Sequence, residues 1–327
     1  MAKIITILGA TGAQGQGVVA SFINDPSYKV RTITRNPSGA PAQALAAKGA
    51  EVVQGDFNDL ASLKTAFAGS HIIFAVTNFF EPFAKLFDGP KTAEIEKQQG
   101  INIAQAAAVT DSLEHFIWST LPNSHAVSGG KFSVPHFDGK ASVDDYIREK
   151  EPALLAKTTF LWVTWYHTNY SFPVYTPFKV PTAFADVHVQ LGSWSPETPI
   201  STIGDVRLNL GKFVRAAVEQ PEKAANGAYV LAAVETISVE GLLKLWGETH
   251  GKKTKYVKID PEAFRELWPV LAEELGVMMD YWDATREKSW SDVSGGKVLT
   301  KEDLGIQGLQ TLEEGLKDLA AKTATAQ

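Results

Sequence analysis

Three glycines at three-residue spacing, Gly9, Gly12 and Gly15, stand in GATGAQG directly after a short apolar run and directly before an amphipathic stretch. Each position has its own physical demand: the first glycine takes a tight turn, the second lets the backbone approach a bound pyrophosphate, and the third lets a helix pack close on the strand it follows. A helix opening there presents unpaired N–H groups and the positive end of its dipole to the phosphates. A glycine triplet alone is weak evidence. Between a buried strand and a helix, at the head of a βαβ unit, it points to dinucleotide binding, with Thr11, Ala13 and Gln14 as further candidate contacts.

The same unit of short apolar strand, polar turn and amphipathic helix then repeats. Strands are expected at Lys3–Gly9, Lys29–Arg35, Ala50–Asp56, His71–Thr77 and His115–Thr120, and helices at Gln14–Asn24, Pro41–Lys48, Leu60–Phe67 and Glu94–Val109. Apolar strands alternating with helices predict an α/β fold, a Rossmann doubly wound parallel sheet. A further helix is expected around Val134–Lys150, then a strand-like run Thr158–Trp165. Beyond Tyr170, prolines at 173, 177, 181, 196 and 199 break the chain into short aromatic-rich pieces. This predicts a smaller C-terminal α/β lobe from 171–200 and 235–327, with 1–170 forming the dinucleotide-binding domain and 201–234, including a helix at Asp205–Glu219, returning to it. The chain after Gln310 reads as a polar, alanine-rich helix that frays at its end.

Composition narrows the chemistry. The 327 residues, 44% of them apolar, suffice for an α/β core plus a second lobe. With 31 Lys and Arg against 37 Asp and Glu, and no basic run beyond the Lys252–Lys258 stretch, no nucleic-acid partner is expected. There is no cysteine, so thiolate nucleophiles and disulfides are excluded. Seven histidines without metal-ligand spacing give no metal site. The apolar run Ile4–Leu8 is too short for a signal-peptide core or a membrane span, so no membrane association and a cytoplasmic location, with the nucleus open, are expected.

The end of the second strand reads TITRNP, placing Arg35 where an NAD site would carry an acid for the ribose diol. A guanidinium there suits a 2′-phosphate, which predicts NADP(H) as cofactor. After the third strand, GDFND brings Asp56 and Phe57 to the expected adenine edge, although Asp56 could equally cap the next helix.

GATGAQG, TRNP, GDFND, VTNFF at Val76–Phe80, HFIWST, HFDGK at His136–Lys140 and the segment around STIGDV together resemble the NmrA-like family of atypical short-chain dehydrogenase/reductases, a family that also includes redox sensors. The resemblance implies that Thr77, Asn78 and Phe79 lie beside the nicotinamide ribose and that Lys140 reaches the ribose hydroxyls. His136 and Lys140 are one helical turn apart and share a face. His136 stands where the wider superfamily has the tyrosine of its Tyr-x-x-x-Lys pair. An imidazole could relay a proton, or could simply fill space. Ser119 and Thr120, at the end of the fifth strand, fall near the superfamily's catalytic serine, or act as caps. The sixth strand departs from the family pattern with an aromatic belt, FLWVTWYHTNYSFPVY. Trp165, Tyr166 and His167 of this belt, with Phe80 of VTNFF, are the candidate pocket walls, with strand alternation sending Trp165 and His167 one way and Tyr166 the other. Two activities remain open: an NADPH-dependent reductase of a small aromatic or hydrophobic carbonyl, imine or activated alkene, and a non-catalytic NADP(H) sensor acting on a regulatory protein partner. The oligomeric state is open as well.

Overall fold

The computed structural model describes residues 2–182 and 186–325, with the backbone alone for 323–325. Its strands are β1 (Lys3–Ile7), β2 (Tyr28–Thr34), β3 (Glu51–Gln54), β4 (Ile72–Ala75), β5 (His115–Thr120), β6 (Thr158–Val163) and β7 (Trp165–Tyr166). After these come β8 (Phe178–Lys179), β9 (Val187–Gly192), β10 (Pro199–Gly204), β11 (Ala228–Ala232), β12 (Glu235–Ser238), β13 (Lys253–Lys258) and β14 (Val298–Leu299). Eight of them form one parallel sheet in the order β14-β11-β6-β5-β4-β1-β2-β3. The strand order reverses between β1 and β4, and the crevice beyond their C-terminal ends is where open α/β sheets take ligands.

Alternation along the strands builds the two helical layers. Ile5, Ile7, Phe74, Ile117 and Leu161 face one way and pack with Val18, Phe22, Leu210 and Phe213 of the helices Ala13–Phe22 and Val206–Glu219. Their neighbours Ile73, Ala75, Phe116, Trp118 and Phe160 face the other way, onto Ile103, Val143 and Ile147 of the helices Gly89–Ala108 and Pro135–Lys150. Strands buried on both faces have no polar side to show, which explains their continuous apolar runs.

Caps decide where several helices begin. Asp59 accepts from the N–H groups of Ala61 and Ser62 and starts Leu60–Phe67, so Asp56 is not that helix's cap. Asp88 caps Gly89–Ala108 with Pro90 in its first turn, which starts this helix a turn before the expected Glu94. Asp205 caps Val206–Glu219 through Arg207 N–H. Such caps contribute about 1 kcal/mol each. A short helix, Phe80–Leu86, was not expected; it ends on Phe87 in the left-handed region at φ 50°.

The smaller lobe holds two three-stranded sheets, β12-β10-β7 and β13-β9-β8. The helices Val239–His250, Pro261–Leu267 and Val277–Thr285 join them around a separate aromatic core that includes Trp165, Tyr175, Trp194, Tyr281 and Trp282. Two expectations change here. The sixth strand leaves the main sheet after Val163, and Trp165–Tyr166 pairs with β10 instead. Val298–Leu299 joins the main sheet beside β11, although 235–327 was assigned to the smaller lobe. The helix Leu312–Thr325 is anchored by fully buried Leu312 and Leu316 in the aromatic core; the fraying expected at its end falls partly on 326 and 327, outside the described residues. No described helix is long and apolar enough to cross a membrane.

Candidate cofactor and substrate site

A cavity of about 920 Å³ opens beyond the C-terminal ends of β1 and β4, between the sheet and the smaller lobe. Gly9 adopts φ 64°, and a Cβ there would lie 2.7 Å from Val76 Cγ1. A Cβ on Gly15 would lie 2.3 Å from the Gly9 carbonyl, so only glycine lets the helix close onto the strand. Gly15 therefore sits behind the cavity, while Gly9, Thr11, Gly12, Ala13 and Gln14 line it. Gly12 caps the helix Ala13–Phe22 without any side-chain hydrogen bond, which leaves the first N–H groups for a bound anion.

Gln14 ties this loop to two other elements. Ser119 Oγ donates to Gln14 Oε1 at 2.8 Å, and Gln14 Nε2 donates to the Tyr166 hydroxyl at 2.8 Å. Burial pushes the Tyr166 phenol up to about 12, so it stays protonated and its O–H remains a donor. At the far end of the cavity Arg35 is 63% exposed, and its Nη2 donates to both carboxylate oxygens of Glu81 at 2.9 and 3.0 Å. Asp56 Oδ1 accepts from the backbone and side-chain nitrogens of Asn58, and both Asp56 and Phe57 line the cavity.

The floor carries two buried pairs. Lys140 Nζ donates to Glu96 Oε1 at 2.5 Å and to Thr77 Oγ1 at 2.8 Å, and the Thr77 hydroxyl donates to the same Glu96 oxygen at 2.8 Å. One turn earlier on the same helix, His136 Nδ1 meets Glu274 Oε1, and the His136 backbone N–H donates to that oxygen at 3.2 Å. Thr77, Asn78, Phe79, His136 and Lys140 all line the cavity. Ser119 and Thr120 do so as well, with Ser119 engaged by Gln14 and Thr120 beside Asp144. Burial pushes the Asp144 carboxyl well above the usual carboxylate range; Tyr229 donates to it at 3.2 Å.

Phe80, Trp165, Tyr166, Phe172, Tyr175 and Trp282 supply the aromatic wall. Trp165 packs into the core of the smaller lobe and Tyr166 against that of the main sheet, yet both edges reach the cavity. His167 does not. Its Nδ1 lies 2.9 Å from the Gly204 carbonyl and its ring is buried away from the site. The chain changes sheets at Thr164 and enters a 3-10 turn at His167, so alternation no longer governs where that side chain points. Trp162, also in the belt, stays in the main sheet, stacked on Tyr229 at 4.3 Å.

The model of the NmrA-like family matches residues 1–314. The chain belongs to the NmrA-like family. An NmrA-like family domain-containing protein of Dictyostelium discoideum is 26% identical over 98% of this chain and 99% of its own. An NmrA-like family domain-containing oxidoreductase of Aspergillus hancockii is 28% identical over 79% of this chain and 76% of its own. Among solved structures, NmrA, a negative transcriptional regulator, in complex with NADP superposes with a TM-score of 0.74 at 21% identity, covering 99% of this chain and 97% of that one; at that identity the likeness shows the shared fold.

Two acids of this NmrA-like protein's site were not anticipated. Glu96 had a signal: Thr92, Glu96, Gly100, Ile103 and Ala107 recur at helical spacing, so Glu96 falls on the buried face of an amphipathic helix. Glu274 had none, because it arrives from a chain segment more than a hundred residues away in a π-helical turn.

Proposed function

We propose that this protein binds NADP(H) and reduces a small aromatic or hydrophobic carbonyl, imine or activated alkene. The residues present fit the dinucleotide: the close approach at Gly9 and Gly15, an N-terminus with no side-chain cap at Gly12, and a guanidinium at the end of β2. The Arg35–Glu81 pair is exposed, and such pairs contribute only about 0.2–1 kcal/mol, so a 2′-phosphate can replace Glu81 at small cost. When bound, NADPH supplies a hydride. The protein's part is to position the reactants, exclude water and deliver the proton.

One observation carries the reading: His136 and Lys140 stand one turn apart on the cavity floor, each held by its own buried carboxylate, below an aromatic wall. A nucleotide-binding cleft needs no imidazole in that place, whereas a reduction needs a proton source there. Thr77 and Lys140 hold the ribose side of the cleft, Ser119 and Gln14 fix the loop, and Phe80, Trp165 and Phe172 take a flat substrate. The relatives named as oxidoreductases support this assignment.

A second reading, an NADP(H) sensor with a regulatory protein partner, is favoured by the Arg35–Glu81 pair. It joins the phosphate clamp to the short helix Phe80–Leu86, whose end exposes Phe87, so cofactor occupancy would free that helix. The NADP complex of the NmrA regulator is in keeping with it. Calorimetric titration with NADPH, NADP, NADH and NAD, followed by an absorbance screen for NADPH oxidation against aromatic carbonyls, imines and enones, separates the two. Tight NADPH binding with turnover supports the reductase; tight binding with no turnover across the screen supports the sensor.

A further inference from the structure

Residues Ala272–Gly276 form a π-helical turn, a local bulge that redirects side chains by comparison with a regular helix. Ala272, Leu275 and Gly276 of this turn are buried, and so is the one carboxylate buried with them, Glu274, 1% exposed. The neighbouring Leu275 and Met278 line the cavity, but Glu274 itself does not; its hydrogen bonds reach the site through His136. Its Oε1 receives both the His136 ring at Nδ1 and the His136 backbone N–H, so the carboxylate fixes the ring and the start of its helix together. Phe79 and Phe80 lie against the ring at centroid distances of 5.7 Å, and Phe137 meets it edge-on at 4.9 Å, leaving the imidazole little freedom to flip.

Lys140, the other candidate donor, is otherwise engaged. Its ammonium protons are directed to Glu96 Oε1, Thr77 Oγ1 and the Thr77 carbonyl, all of which belong to the floor. His136 has its Nδ1 side tied to Glu274, which leaves Nε2 to the cavity that the ring lines.

We propose that Glu274 is a positioning residue that makes His136 the proton donor of the reduction. The inference rests on the reductase reading. With Nδ1–H held on Glu274 Oε1, the proton passed to the substrate is the one on Nε2, and the carboxylate balances the charge of the ring that carries it. The substrate's C=X bond gains a hydride at carbon from bound NADPH, its π electrons move to X, and His136 Nε2 gives its proton to X. The substrate is reduced, the nicotinamide is oxidised, and His136 is left as neutral imidazole with Nδ1–H still on Glu274. Solvent at the cavity mouth restores the Nε2 proton. Glu274 changes no bond; it holds tautomer and orientation.

The test uses the full chain with Glu274→Gln, which keeps shape and removes charge, and Glu274→Asp, which keeps charge and shortens reach. In protein labelled with 15N-histidine, the wild-type His136 Nδ1–H gives a downfield proton resonance that moves upfield in both variants, most in Glu274→Gln; this needs no turnover. With benzylideneacetone and N-benzylideneaniline as acceptors, kcat in Glu274→Gln falls about 10- to 100-fold while KM for NADPH and for acceptor stays within about twofold. Glu274→Asp recovers part of kcat and carries the test alone should Glu274→Gln not fold. Wild-type turnover with an unchanged kcat or an unmoved resonance in the folded variants overturns the proposal and leaves the reductase reading standing. No turnover by the wild type on any acceptor overturns the reductase reading, and the proton-donor role with it.

Discussion

Glu96 and Glu274 are each 1% exposed, each leaves one carboxylate oxygen without a partner among the described residues, and each meets a basic side chain on the helix Pro135–Lys150. They differ in where they come from and what they hold. Glu96 belongs to the helix Gly89–Ala108, which packs along Pro135–Lys150 within the same half of the molecule, and it pairs with a lysine. Glu274 comes from the smaller lobe and pairs with a histidine, the side chain whose charge is most readily changed near neutral pH. The lysine pair is part of the platform, complete once the parallel sheet and its helices have formed. The histidine pair exists only when the second lobe has closed over the first. On the proposed reading, binding is built into one half of the molecule and proton handling into the junction of the two.

The largest effect that separates the pairs should come from Glu96→Leu. It strands the Lys140 ammonium in a buried site, and uncompensated buried charges cost about 3–5 kcal/mol. Urea unfolding should show that loss, and Lys140→Met added to Glu96→Leu should recover much of it. A loss below about 1 kcal/mol would mean that the pair is not an anchor.

His115 shows what happens to a buried imidazole that meets no carboxylate among the described residues. Its Nε2 meets Thr159 Oγ1 at 2.7 Å, and that hydroxyl donates onward to the Ala224 carbonyl, so the ring must donate. Burial lowers its pKa from 6.5 to about 4. Because the folded value lies below the unfolded one, the contribution to stability is fully present above pH 6.5 and is lost as pH falls through about 4. A shift of that size corresponds to about 3 kcal/mol. Denaturation at a series of pH values should show this decline in the wild type and a flatter profile in His115→Val; identical profiles would contradict it.

The smallest effect belongs to the exposed pair at the rim. Arg35→Ala should change folding stability by less than about 1 kcal/mol. It should still weaken NADPH about 10- to 100-fold, as expected for losing hydrogen bonds between charged groups, and leave NADH unchanged. Calorimetry with both dinucleotides decides it; equal losses would remove Arg35 as the phosphate clamp.

Much of the main sheet was legible residue by residue. The strand His115–Thr120 and the helix Leu60–Phe67 have the expected bounds, and the glycine loop lies where its spacing required. These features are local: an apolar run, a cap and a turn each act within a few residues. The short helix Phe80–Leu86 escaped because VTNFF reads as cofactor loop and nothing before Phe80 caps it. His167 was misplaced because alternation was carried past Val163, where the backbone had already changed sheets.

The sequence by itself determined the parallel α/β architecture, the dinucleotide crevice and the shared helix face of His136 and Lys140, a pair that the family resemblance brought forward, since periodicity, glycine geometry and helical spacing are properties of neighbouring residues. Only the tertiary structure decided which acids complete that pair, which aromatic residues reach the cavity, and that Val298–Leu299 closes the main sheet. The physical reason is that a buried charge is matched by whatever packs against it in space, and helical or strand periodicity says which face a residue takes but not what will be packed there.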